Sequence, residues 1–199
     1  EKTSSEAAGL ATGIGPEDTT SPERTLERAA AVIQDGIGQF QDEIGDGLLT
    51  LTGCMLFDQT GRPAMSFMAG ESIRVGIAFV PKEDFPAGHL IAGFQVRDRF
   101  NTVAAAGTSL NRGVQMPAVR GGQRYVMLLS LGGRLGSGKY LLDFGLGCHP
   151  DHADSPLHHH HRYGGIASFD VDWFGRRVTF QGTCDVGAEF SPVQPAPSR

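Results

Sequence analysis

Glycine and proline set the strongest limit on what this chain can fold into. The sequence contains 28 glycines and 11 prolines, so 39 of its 199 residues favour turns, and they follow no fixed period. Such residues divide a chain into many short elements joined by turns, which excludes long helices. Hydrophobic residues make up 40% of the chain and charged residues 20%, which is enough apolar material for one packed domain.

Between the turns, hydrophobic residues recur at every second position. This period places alternate side chains on opposite faces of a strand, so one face of each strand is buried. About seven or eight such strands, with turn residues between them and no intervening helices, predict an all-β fold, an antiparallel β-sandwich. The alternating positions are Val75, Ile77 and Phe79; Leu90, Ala92, Phe94 and Val96; Tyr125, Met127 and Leu129; Tyr140, Leu142, Phe144 and Leu146; and Phe169 and Val171.

The first part of the chain has a different composition. Residues 1–44 are predicted to form a flexible linker with one short helix near residues 22–35, where Ser21 and Pro22 are suited to a helix start. The helix has a mostly alanine face that buries little area. It must therefore pack against the domain or against a partner.

The sandwich is predicted over residues 45–190, followed by a flexible tail at residues 191–199. The tail is rich in proline, which cannot donate to the hydrogen-bond ladder of a central strand. The segment Val178–Cys184, just before it, is predicted to form an edge strand or an exchanged strand.

Charge, cysteine spacing and hydropathy argue against several classes of function. The net charge of −5 provides no basic field for phosphate backbones, so we expect no nucleic-acid partner. Cys54, Cys148 and Cys184 form no CxxC pair, which favours free thiols in a reducing compartment. No stretch approaches the ~18 apolar residues of a membrane span and no signal segment opens the chain, so we expect a cytoplasmic location.

The segment Gly133–Tyr140 matches the first seven positions of a phosphate-binding P-loop. The eighth position needs a Ser or Thr hydroxyl for Mg²⁺, and Tyr140 stands there. A P-loop also precedes a helix, whereas the residues after Lys139 alternate like a strand. We interpret the segment as a glycine-rich connection and predict no cofactor. No GxSxG motif is present, so we also predict no catalytic residues.

Histidines cluster between two predicted strands, in a loop from His149 to His161 that also holds Asp151 and Asp154. Histidine and carboxylate side chains suit zinc. Metal sites usually draw ligands from rigid, separated elements, and a loop with two prolines lacks that rigidity. We predict no metal ligand here, and a metal-dependent enzyme built on this loop remains an alternative.

Polar side chains follow the outward positions of the predicted strands. If Phe94 and Val96 face the core, Gln95 and Arg97 lie on the opposite face and form a row of planar donors that suits sugar hydroxyls. Asp170 also lies on an outward position, where its carboxylate could accept hydrogen bonds from a polyhydroxylated ligand.

Several blocks of this sequence, in their order, carry a family likeness. Together they resemble the C-terminal carbohydrate-binding domain of Wzt-type ATPases, the subunits that hydrolyse ATP in ABC transporters exporting O-antigen polysaccharide. The likeness covers about residues 45–190 and depends on the order of the blocks. The blocks are G-x-L-x-L-x-x-x-x-L-F-D-x-x-G-R-P at Gly47–Pro63, F-x-x-G-E-x-I-x-V at Phe67–Val75, G-F-Q-V-R-D-R at Gly93–Arg99, G-T-S at Gly107–Ser109, G-x-Y-x-L-x-x-G with a following His at Gly138–His149, and Y-x-x-I-x-x-F-x-V at Tyr163–Val171.

The resemblance implies an immunoglobulin-like sandwich that recognises a lipid-linked O-antigen-type polysaccharide without catalysis. It also implies a homodimer, formed by exchange of the C-terminal strand. The partners would be the polysaccharide, an ATPase domain preceding residue 1, and a membrane permease at the inner face of the inner membrane.

The polysaccharide site is predicted on a concave sheet face, where polar side chains meet an aromatic plane. The glycan-binding candidates chosen by alternation are Gln95, Arg97, Asp143, Asp170 and Trp173. Besides the metal-dependent enzyme, a purely structural dimerisation module is a further alternative.

Overall fold

The computed structural model describes residues 30–33, 42–132, 135–148, 158–172, 189–191 and 194–195. These residues form eleven strands, one short 3₁₀-helix at Leu110–Arg112 and a short helical stretch at residues 30–32. The strands are β1 (Asp42–Gly45), β2 (Leu49–Phe57), β3 (Ser66–Met68), β4 (Ile73–Pro81), β5 (Leu90–Asp98), β6 (Val103–Thr108), β7 (Tyr125–Leu131), β8 (Gly138–Cys148), β9 (His158–Asp172), β10 (Glu189–Phe190) and β11 (Gln194–Pro195).

The strands form two sheets. Sheet A has the order β1-β9-β8-β5-β6, with β3 also beside β9, and sheet B has the order β10-β7-β4-β2, with β11 also beside β7. The pairs are antiparallel except for β3 and β9, which run parallel. The predicted all-β, immunoglobulin-like sandwich is thereby confirmed, with additional strands of two to four residues that are too short for a period to reveal.

Apolar side chains from the facing surfaces of the two sheets form the core. The inward positions predicted by alternation are buried in it, including Val75 and Ile77 of sheet B and Phe94 and Leu142 of sheet A. The ring of Phe79 stacks on that of Tyr125 with 5.9 Å between centroids. Alternation therefore assigns the two faces of β4, β5, β7 and β8 correctly.

Only part of the predicted N-terminal helix lies within the described residues. Residues 30–32 are helical, and Ile33 is buried in a small cluster with Phe57 and Val126 on the outer surface of sheet B. The Arg124 guanidinium donates a hydrogen bond of 2.6 Å to the Ile33 carbonyl. The predicted contact between this helix and the domain is therefore present in the structure.

The C-terminal strands lie against β7. Phe190 pairs with Leu129, and Gln194, in the region predicted as a flexible tail, pairs with Val126. The segment Val178–Cys184 lies outside the described residues, as does most of the predicted linker at residues 1–44. Within the described part of the chain, no helix is long and apolar enough to cross a membrane.

The histidine run is in a strand, which corrects the prediction of a loop from His149 to His161. His158 pairs with Cys148 and His161 with Leu146, so β9 begins at His158. Four identical residues give no alternation that could have revealed this strand. β9 begins as early as His158 because β8 extends to Cys148, and the backbone groups of β8 need hydrogen-bond partners on a neighbouring strand.

The side chain of Tyr163 links the two sheets by hydrogen bonds. The Tyr163 hydroxyl, on β9, donates a hydrogen bond of 3.1 Å to the Leu49 carbonyl on β2 and accepts one of 3.0 Å from the Leu51 amide. The pairing of β2 with β4 is irregular between Leu51 and Gly53. The phenol is therefore a direct hydrogen-bond connection between the sheets at this irregularity.

We predict that Tyr163→Phe lowers stability, because it leaves a buried amide and a buried carbonyl without their partner. Each such group costs about 1–3 kcal/mol. Chemical denaturation measures the loss. The control is Tyr125→Phe, because the Tyr125 hydroxyl bonds to the nearby Arg120 amide and Gln123 side chain in a part-buried turn of the same sheet. Equal losses of stability in the two variants would show that the hydrogen bonds between the sheets contribute no more than those within a local turn.

Candidate binding site

The outer surface of sheet A, turned away from the core, presents polar side chains from its central strands. Gln95 of β5 lies directly opposite Asp143 of β8, and Arg97 lies opposite Leu141. Arg162 of β9 lies opposite Gly145. Three neighbouring strands therefore bring these residues together, as alternation predicts for Gln95, Arg97 and Asp143.

Asp143 is buried although it lies on the outer surface, with 2% of its side chain exposed. Its Oδ1 accepts hydrogen bonds from the Arg97 Nη2 at 2.6 Å and from the Gly165 amide at 2.8 Å. Its Oδ2 lies 3.5 Å from the Arg162 Nη2. Two guanidinium groups and one backbone amide therefore surround a single carboxylate, which leaves a local excess of one positive charge.

The strand β9 bulges around this carboxylate. Leu142 pairs with Ala167 and Phe144 with Tyr163, so three residues of β9 lie opposite Asp143 alone. Gly165, in the middle of the bulge, has a φ of 65°. This left-handed conformation favours glycine, and here it accompanies the amide that donates to Asp143.

A groove of about 280 Å³ lies beside this carboxylate. Glycines line much of it, contributed by β5, β6 and β8, and the polar groups around them come from side chains of these strands, of β9 and of the 3₁₀-helix. The glycines are Gly93, Gly107, Gly145 and Gly147, and the polar residues are Gln95, Thr108, Asn111, Asp143 and Arg162. The groove also has apolar lining residues, among them Phe94 and Phe144, and it has hydrogen-bonding groups around its glycines.

Gly93 illustrates why the groove exists. A Cβ at this position would lie 3.5 Å from the Thr108 Cγ2, an ordinary contact, so a side chain could be accommodated. Its absence leaves open space above the strand. At Gly145 the corresponding distance to the His161 carbonyl is 3.3 Å, which is tighter.

A second depression, of about 290 Å³, lies near the other end of the same strands. Its outward-facing residues include Arg99, Lys139, Ser168 and Asp170. Lys139 and Asp170 form an ion pair of 3.2 Å, with 80% and 40% of their side chains exposed.

The five residues predicted from the sequence to bind glycan do not all lie in one site. Gln95 and Asp143 line the groove, and Asp170 lines the second depression. Arg97 lies on the predicted surface, but its side chain is only 12% exposed and pairs with Asp143, so it is not the freely outward donor that alternation suggested. Trp173 lies outside the described residues.

Sequence reasoning missed the groove residues Thr108, Asn111 and Arg162. Arg162 follows the histidine run, whose strand had no visible period. One signal was present in the sequence: glycines at 145 and 147 alternate with Phe144 and Leu146, which indicates a strand surface without side chains.

The described residues give little support for thiol chemistry or for nucleotide binding. Burial raises the pKa of the Cys54 thiol to about 12, and burial, with Asp46 and Glu83 nearby, raises that of Cys148, so both thiols are protonated at neutral pH. Lys139 is followed by strand residues rather than a helix, which confirms that expectation for the P-loop-like segment.

The histidine region was the basis of the metal alternative. The His161 side chain is buried, with its Nε2 2.8 Å from the Glu43 Oε1 and its ring stacked on Tyr163. Among the residues that the structure describes, no group of three or more His, Cys, Asp or Glu could hold a metal ion. Residues 149–157 lie outside the described part of the chain.

Comparisons with known proteins found one matching family model and a similar solved structure. The family model of the Wzt C-terminal domain matches residues 41–186, well over half of the chain. The crystal structure of the C-terminal domain of wzt superposes with a TM-score of 0.61 at 18% identity, covering 79% of this chain and 92% of that one. At this identity the superposition supports the fold alone. No curated protein matches the sequence.

We predict that Asp143→Ala destabilises the chain by about 3–5 kcal/mol, because it leaves the buried Arg97 charge without its partner. The control is Asp170→Ala, which breaks an exposed ion pair and should cost less than about 1 kcal/mol. Urea denaturation of both variants measures the difference. Replacing Arg97 and Asp143 together by Met and Leu should recover much of the loss; no recovery would contradict the pairing.

Proposed function

The chain belongs to the Wzt C-terminal domain family, and we propose that it recognises a lipid-linked O-antigen-type polysaccharide without catalysis. In this proposal it is the accessory domain of an ABC exporter ATPase. The groove on the outer surface of sheet A holds the sugar.

The observation that supports this function best is a floor of glycines beside polar side chains. Gly93 and Gly145 expose backbone where other strand residues would project side chains, so a sugar ring can approach the sheet closely. Gln95, Asn111 and Arg162 supply amide and guanidinium groups that can hydrogen-bond hydroxyls. An open groove also admits an internal part of a polymer, which an enclosed cavity does not.

The residues have two different roles in this proposal. Gln95 and Arg162, which is 53% exposed, contact the sugar directly. Asp143 is buried, so it positions Arg162, and Arg97 compensates the charge of Asp143. Trp173 remains a sequence candidate for an aromatic contact.

The family context extends the proposal to partners. We propose that the chain works with an ATPase domain and a membrane permease at the inner face of the inner membrane, and as a homodimer with an exchanged C-terminal strand. The short strands β10 and β11 lie at the side of sheet B where such a strand would pair. A purely structural dimerisation module is the second candidate function, and it requires no ligand in the groove.

The test is Gly93→Val. We predict at least about a tenfold loss of affinity, because the valine side chain occupies the floor of the groove. Gly93 is not in the left-handed region and valine favours strands, so the melting temperature should be unchanged or higher. The measurement is calorimetric titration with polysaccharide released by mild acid from the lipopolysaccharide of the source bacterium.

The matched control is Thr50→Val, an exposed strand position in sheet B. It should bind as the wild type does. Absence of binding by the wild-type chain would favour the structural module, and full binding by Gly93→Val would place the sugar elsewhere.

A further inference from the structure

The second depression lies on the same sheet surface as the groove. Both are lined by β5 or its end, by β8 and by β9. Asp143 beside the groove and Lys139 in the depression are four residues apart on β8, and therefore on one face and about 13 Å apart along the strand. A linear polymer lying along the strands could contact both.

The depression offers polar groups that are not committed to the fold. The Lys139 and Asp170 pair is largely exposed, and such pairs contribute little to stability, so sugar hydroxyls can replace the contact at low cost. Ser168 adds an exposed hydroxyl between Asp170 and the centre of the sheet. Ammonium, carboxylate and hydroxyl groups together can both donate to and accept from a hydroxylated ring.

The turn after β5 holds an exposed aromatic ring next to Arg99, which lines the depression. The Asp98 carboxylate accepts hydrogen bonds from the Phe100 amide at 2.8 Å and the Thr102 amide at 2.9 Å. The Phe100 ring is 72% exposed and lies 4.6 Å from the guanidinium carbon of Arg99. An aromatic ring held in this way offers an apolar face next to the polar groups of the depression.

On the basis of the proposed function, we infer that this depression is a second sugar subsite, lined by Arg99, Lys139, Ser168 and Asp170. The groove binds one unit of the polysaccharide and the depression binds another unit of the same strand. The domain therefore recognises a length of polymer, and affinity increases with the number of repeats until both places are filled.

The experiment uses two fractions of the released polysaccharide, single repeats and multi-repeat chains, titrated into the full chain. The wild type should bind multi-repeat chains about ten- to a hundredfold more tightly, the gain expected from one or two further hydrogen bonds. Ser168→Trp fills the depression and should reduce this affinity to the single-repeat value. It should leave single-repeat binding unchanged, whereas Gly93→Val should weaken the binding of both fractions.

The controls separate the alternatives. Thr50→Trp places the same side chain on an exposed strand position of sheet B and should have no effect. A purely statistical gain from several equivalent repeats would persist in Ser168→Trp, and that result would overturn the second subsite while the proposed function stands. Equal affinities of the wild type for single repeats and for multi-repeat chains would also overturn the second subsite. Lys139→Ala should also lower the affinity for multi-repeat chains, but by less than Ser168→Trp does. No binding of either fraction by the wild type would reject the proposed function and the subsite together.

Discussion

The buried carboxylate of Asp143 is the constraint on which the binding surface depends. An ionised group removed from water is very costly unless it is paired and hydrogen-bonded. Here the Arg97 guanidinium at 2.6 Å and the Gly165 amide at 2.8 Å satisfy it. The same requirement accounts for the bulge of β9, the left-handed glycine within it, and the position of Arg162 beside the groove.

Alternation predicted which surface of each long strand is buried, because a period of two is a property of the chain itself. It placed Gln95, Arg97 and Asp143 on one sheet surface, as the structure does. It could not predict that Arg97 turns toward Asp143, since that contact joins residues 46 positions apart in sequence. Alternation also could not predict that Asp170 lies away from the groove, because the register between strands is set by tertiary packing.

The remaining differences from the sequence prediction have similar causes. His158–His161 lack contrast between neighbouring side chains, so their strand had no visible period. Strand β3 is three residues long and pairs in parallel with β9, which local patterns cannot reveal. Alternation placed Gly93 and Gly145 inside strands, but it could not show that the two glycines lie opposite each other and form the floor of a groove, because that depends on how β5 and β8 pair. The feature most relevant to binding is thus a lack of side chains.

The central claim is that the glycine floor of sheet A contacts the polysaccharide. Glycine amides give well-resolved signals, so an NMR titration of the ¹⁵N-labelled chain with the released polysaccharide tests it directly. We expect the largest shift changes at the amides of Gly93, Gly145 and Gly147, with little change at Thr50 on sheet B. Changes confined to sheet B, with the three glycine signals unmoved at saturation, would contradict the claim.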